Sequence, residues 1–169
     1  MLSSSRSIRR RIFPDGLFGS ASALRNSRGR LKRAGAEAVL VVTPYFVRPP
    51  QRGLVEYYAR VLAETALPAM VYNIPVRAAV GVEVDTLLRI RERAPNLVGM
   101  KHAAQDVGFV SQALAALGRD FRIFAGLEEL SLPMLAVGAA GMMNAVGNLD
   151  PARVAALYEA VGAHDPARA

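Results

Sequence analysis

Apolar residues in this chain gather into five short, nearly continuous runs: Ala38–Val42 (AVLVV), Ala69–Asn73 (AMVYN), Leu97–Lys101 (LVGMK), Phe121–Ala125 (FRIFA) and Gly141–Val146 (GMMNAV). Runs of this length without polar alternation predict strands buried on both faces. Between them apolar positions recur every three or four residues. Leu54, Tyr57, Tyr58, Val61 and Leu62 form such a stripe within Gln51–Thr65, and Val84, Leu87 and Leu88 within Glu83–Ala94. Three further helices are predicted: Asp106–Leu117, with Asp106 as N-cap and Gly118 as stop; Glu128–Val137, closed by Gly138; and one capped by Asp150, with Pro151 in its first turn, running to about Val161. Leu31–Ala34 reads as the last turn of a helix ended by Gly35, and residues 162–169 as a frayed tail.

The pattern is strand–helix, five times over, with short connections. Such alternation requires a parallel sheet with right-handed crossovers. It leaves two closures open, an open doubly wound sheet or part of a closed barrel. An open nucleotide-binding sheet needs a Gly-rich phosphate loop after its first strand, and none follows Ala38–Val42. The unusual polar residues instead cluster where strands end: Thr43 and Tyr45, Tyr72, Asn73 and Arg77, Lys101 and His102, Gly126 and Glu128, and Asn144. A barrel carries its chemistry at those ends. The predicted fold is therefore α/β, a partial (β/α)8 TIM barrel of about five βα units; at 169 residues the chain is well short of the roughly 250 of a full barrel.

Charge changes the picture only at the front. The net charge of +7 comes from residues 1–33, which hold nine Lys/Arg against the single acid Asp15; the rest is near neutral. Residues 1–30 show no sustained period and are rich in Ser, Arg and Gly. Three readings stay open: a mitochondrial transit peptide, a nucleic-acid-binding arm, or a non-native head. The expected division is a basic head over 1–30, a barrel domain over 31–161 and a tail over 162–169. The near-neutral body gives no reason to expect a nucleic acid partner. The chain has no cysteine, which excludes disulfides and thiolate chemistry, and two histidines are too few for a histidine-based metal site. No apolar run approaches the ~20 residues of a membrane span. The expected compartment is the cytoplasm, or the mitochondrion if the head is a transit peptide.

Lys101 is one of only two lysines, and it ends a strand-like run. An amine at the mouth of a parallel sheet becomes nucleophilic when desolvation favours its neutral form. Tyr72 ends the preceding strand and offers a hydroxyl to move protons. His102 is expected to hydrogen-bond behind the lysine rather than act as a base.

These residues lie in motifs that resemble the dihydrodipicolinate synthase / N-acetylneuraminate lyase family. GAEAVLVVTPYFVRPPQRGL, VYNIPVR, NLVGMKHAAQD and GAAGMMNAVGN occur in the family's order, with Lys101 29 positions after Tyr72. The likeness covers about Leu31–Val161. It implies a class I aldolase on a (β/α)8 barrel, built as a homo-oligomer (a tetramer of tight dimers) and needing neither metal nor organic cofactor. It implies that Lys101 forms an imine with pyruvate or another 2-oxo acid, that Tyr72 shuttles protons, and that an aldehyde is the second substrate. Arg77 matches a carboxylate binder, and Thr43, Tyr45, Gly126 and Met143 match residues that line or support the pocket. The sequence also departs from the family. No G-T-T/S-x-E-like stretch for the 2-oxo acid carboxylate occurs in residues 1–30, and Phe46 stands where synthases commonly carry a second tyrosine. Three strands and a C-terminal helical extension of the family are expected to be missing. A non-catalytic fragment that only contributes oligomer contacts is the alternative reading.

Overall fold

The computed structural model describes residues 21–33, 35–165 and 167. Five strands form one sheet: β1 (Val39–Val42), β2 (Ala69–Asn73), β3 (Leu97–His102), β4 (Arg122–Ala125) and β5 (Gly141–Met142). All neighbours are parallel, and the strands lie in sequence order. A doubly wound sheet reverses its order at a switch point. This one never reverses, so right-handed crossovers put every connecting helix on one face, as in a barrel wall.

Burial along the strands follows that asymmetry. In β1, Val39 and Val41 are buried while Leu40 and Val42 are half-buried. Val71, Met100 and Ile123 align with Val41 on the covered face. There they meet Leu54 and Tyr58 of α2 (Gln51–Leu62), Leu87 and Ile90 of α4 (Val84–Arg93), and Val110 and Ala113 of α5 (Val107–Leu117) in one core. The opposite face carries Val42, Tyr72, Lys101 and Phe124 in register, each only half-buried. Burial on both faces, expected from the continuous apolar runs, is therefore complete on one face only. The register slips between Ala69 and Met70. Opposite that slip, a Cβ on Gly99 would run into the Arg122 carbonyl.

Side chains hold the connections to the sheet. Tyr57 and Tyr58 donate to the carbonyls of Val42 and Val41 (3.1 and 3.3 Å). Gln51 bridges the start of α2 to the loop before α4, donating to the Gly81 carbonyl and accepting from the Thr86 hydroxyl. The Asn96 amide nitrogen lies 3.0–3.3 Å from the carbonyls of Leu62, Thr65 and Leu67, gathering the end of α2 under β3.

Most predicted elements are present, with four differences. The helix expected only as a last turn at Leu31–Ala34 is α1 (Ala21–Arg33), and it buries Leu24, Ser27 and Leu31. The ordered domain thus reaches back into the segment assigned to the basic head; the rest of that segment, residues 1–20, lies outside the described residues. A short helix, α3 (Pro75–Ala78), follows β2, closed by Ala79 at φ 60°. The helix expected over Glu128–Val137 is a 3₁₀ turn (Glu128–Leu130) followed by α6 (Ser131–Ala136). The fifth strand, predicted to run to Val146, pairs only at Gly141 and Met142. Its partner β4 ends at Ala125, and the chain turns into a 3₁₀ helix over Ala145–Asn148. The last helix, α7 (Pro151–Gly162), starts as expected, with the Asp150 carboxylate accepting from the Arg153 N–H. Among the described residues no helix is long and apolar enough to cross a membrane.

Candidate active site

The C-terminal ends of β2, β3 and β4 converge on Lys101. Parallel register sets Tyr72 directly beside it, and the Lys101 Nζ lies 4.4 Å from the centre of the Tyr72 ring. An ammonium at that distance is attracted by the ring face, so the sheet pre-places the two groups against one another. Among the described residues no group hydrogen-bonds the Tyr72 hydroxyl. On the other side Phe124 aligns with Lys101. Both side chains, Tyr72 and Lys101, are half-buried on the open face.

Gly126 makes room for the lysine. Its N–H donates to the His102 carbonyl (2.8 Å), which carries the ladder past the end of β4. A Cβ there would stand 2.8 Å from the Ala103 methyl and 3.1 Å from the Lys101 Cε. The sequence assigned Gly126 to the pocket; the structure places it against the stem of the lysine. Met143 comes directly after β5, its N–H bonded to the Ala125 carbonyl (2.8 Å).

Glu128, two residues beyond Gly126, reads in the sequence only as a polar strand end. Its carboxylate accepts from the N–H groups of Ala145 (2.7 Å) and Val146 (3.1 Å) and so joins the loops after β4 and β5. Its own backbone N–H, then those of Val146 and Ala145, hold the carboxyl below its ordinary range, and the charge of Lys101 adds to the pull. The period of the fifth run gives no hint of this strap, because it forms only where the strand stops pairing.

The remaining predicted residues do not gather at the lysine. Thr43 is fully buried and continues the alternation of Val39 and Val41 toward the helices; its hydroxyl has no hydrogen-bond partner among the described residues. Tyr45 is half exposed, stacks edge-on to Phe46, and lines a pocket of about 730 Å³ with Pro44, Tyr57, Arg60 and residues of α1. Arg77 is exposed on α3, with no acidic partner among the described residues. Nearer the lysine, Pro75, Val76, Ala103, Ala104, Gln105, Leu127 and Glu129 line a pocket of about 350 Å³, formed by the loops after β2, β3 and β4.

His102 points to the covered face and is 1% exposed. One ring nitrogen, Nδ1, lies 3.2 Å from the Asn73 amide nitrogen, and Nε2 lies 3.2 Å from the Asp106 carbonyl. The ring stacks on Phe109. Burial pushes its pKa below the ordinary value, against the opposing pull of Asp106. The structure thus places it behind the lysine, where the sequence reading put it.

Comparison with known proteins identifies the family and the fold. Residues 20–169 match the Dihydrodipicolinate synthetase family. A 4-hydroxy-tetrahydrodipicolinate synthase of Thermus thermophilus is 44% identical over 135 residues, 79% of this chain and 45% of its own. That of Oleidesulfovibrio alaskensis is 36% identical over 138 residues, 82% of this chain and 47% of its own. Among solved structures, the 4-hydroxy-tetrahydrodipicolinate synthase of Methylacidiphilum fumariolicum SolV superposes with a TM-score of 0.82 at 38% identity, over 88% of this chain and 49% of that one. The dihydrodipicolinate synthase of Aquifex aeolicus gives 0.83 at 33% identity, over 89% and 51%. The chain therefore spans about half the length of the relatives it matches, as a partial (β/α)8 barrel of five βα units. With its strand order and its sequence in agreement, the chain belongs to the dihydrodipicolinate synthetase family.

Proposed function

We propose that this chain carries the imine-forming half of a lyase or aldolase that acts on pyruvate or a related 2-oxo acid. The observation that carries the reading is the Lys101 amine set 4.4 Å from the Tyr72 ring at the C-terminal strand ends. In this reading the neutral Lys101 amine attacks the C2 carbonyl of the 2-oxo acid. Proton transfers through Tyr72 expel the carbonyl oxygen as water and leave a protonated imine. Loss of a C3 proton gives an enamine, whose C3 adds to the carbonyl carbon of an aldehyde. Hydrolysis then returns the amine and releases the product, and the reverse sequence cleaves the same bond. The protonated imine on the lysine is the electron sink, so the chemistry needs no cofactor. Arg77, exposed and without an acidic partner on α3, suits a substrate carboxylate. The names of the relatives support a 4-hydroxy-tetrahydrodipicolinate synthase-like reaction.

A specific observation favours a second reading. Both sheet edges are unpaired among the described residues, and the Lys101 face is only half covered. A non-catalytic half-barrel that contributes contacts to an assembly fits those features. Borohydride trapping with pyruvate separates the two, read by intact mass and peptide mapping. The catalytic reading expects one adduct per chain, at Lys101, absent from Lys101→Ala. A folded protein that forms no adduct supports the second reading.

A further inference from the structure

Tyr72 and Lys101 are neighbours in the β2–β3 ladder, and so are the residues that follow them, Asn73 and His102. Side chains alternate across a strand. The reactive pair therefore stands on the open face and the Asn73–His102 pair directly behind it, in the core. We infer that His102 is a positioning residue: as its Nε2–H tautomer it ties β2 to β3 through Asn73 and sets the placement of Lys101 against Tyr72.

The tautomer follows from the hydrogen bonds. The Val82 N–H donates to Asn73 Oδ1 at 3.1 Å, which fixes the amide orientation. The amide nitrogen, which can only donate, then faces His102 Nδ1, so Nδ1 must accept. The proton sits on Nε2 and donates to the Asp106 carbonyl. Phe109 stacks on the ring at 4.6 Å with planes 2° apart, which limits tilting. The backbone closes the same joint, since the Ala103 N–H donates to the Asn73 carbonyl and the Gly126 N–H to the His102 carbonyl, each at 2.8 Å. His102 is thus the point where the ends of β2, β3 and β4 meet.

The tie has a built-in condition. A second proton would turn Nδ1 into a donor facing the Asn73 donor, and the amide cannot flip without losing Val82. The groups that meet the ring are neutral Asn73 from β2, and Asp106 and Phe109 from the start of α5; Asp106 is the charged one, and its carboxylate is engaged as the cap of α5, accepting from the Phe109 N–H. Protonation of His102 therefore breaks the side-chain tie between β2 and β3 just behind the Tyr72–Lys101 pair, leaving only the backbone ladder there.

The inference rests on the proposed imine chemistry for its purpose, but its test has a readout independent of activity. Lys101 sits over the Tyr72 ring, so its ε-protons resonate upfield, and with only two lysines in the chain they are readily assigned. His102→Phe keeps a ring against Phe109 and removes the acceptor; His102→Gln restores an acceptor for Asn73. The upfield shift is expected to collapse in His102→Phe and persist in His102→Gln. In the unaltered protein it is expected to move with the titration of the His102 ring. Trapping of pyruvate should slow about a hundredfold in His102→Phe at saturating pyruvate, with recovery in His102→Gln. An unchanged Lys101 resonance in His102→Phe overturns the inference. Should that variant not fold, a Lys101 resonance in the unaltered protein that ignores the His102 titration overturns it equally. A shift that responds as expected in a protein that traps no pyruvate leaves the positioning role standing and removes the imine reading. Normal trapping with an unmoved shift does the reverse.

Discussion

Thr43 shows how much a single buried atom contributes. Its hydroxyl is buried with no partner among the described residues, and burying an unpartnered hydroxyl costs on the order of 1–3 kcal/mol. Thr43→Val keeps the shape and removes the polar atom. It is expected to stabilise the chain by about 1 kcal/mol, raising the Tm by roughly 3 °C, measured by thermal unfolding. His102 works in the opposite sense with pH. Its folded pKa lies below the ordinary value, so between the two values the unfolded chain binds the extra proton and the native chain does not. The stability it supports is fully present above about pH 6.5 and is lost as pH falls through the folded pKa. Denaturant midpoints taken across that interval should decline in the unaltered protein and decline less in His102→Gln. Lys101, Tyr72 and His102 are legible in the sequence because each ends an apolar run. Thr43 and Tyr45 are not, because proximity to a strand end does not say which face a residue takes. Alternation sends Thr43 into the core, and Tyr45 turns away in the following loop.

At the scale of elements, α1 is the instructive case. Arg is its commonest residue, and the charge count places it in a basic head. Leu24, Ser27 and Leu31 nonetheless fall at helical spacing on one buried stripe. Arg25 then clamps the helix to Glu64, just beyond α2, with bonds of 3.0 and 2.6 Å. Three small or apolar positions among so many charges give too weak a period to see without the partner helix. Because Leu24 is fully buried, Leu24→Ala is expected to cost about 3 kcal/mol, read from chemical denaturation; a change under about 0.5 kcal/mol would show that α1 does not belong to the cooperative unit. The fifth strand errs the other way. Six apolar or small residues predict a full strand, but a strand can pair only as far as its neighbour extends, and past Met142 the Glu128 carboxylate captures the backbone N–H groups instead.

The whole molecule is a wall with two free sides. β1 and β5 each leave an edge unpaired among the described residues, and the face bearing Val42, Tyr72, Lys101 and Phe124 is half covered. Unpaired parallel edges favour association with further strands. Sedimentation velocity is expected to show species larger than 18.1 kDa that grow with concentration. A single 18.1 kDa boundary at all concentrations would mean that the edges are already protected. Sequence periodicity could not reveal this, because the apolar runs read the same whether the inner face is filled or open.

The unbroken strand order bears on how such a chain is made. Each strand pairs with the one translated just before it, so every new βα unit emerges from the ribosome to find its partner already in place. Contacts close over one unit at a time, with little loop entropy to overcome at each step. The wall can therefore be laid down in the order of synthesis, and the pairing of residues 72 and 101 does not wait for β4 or β5 to fold.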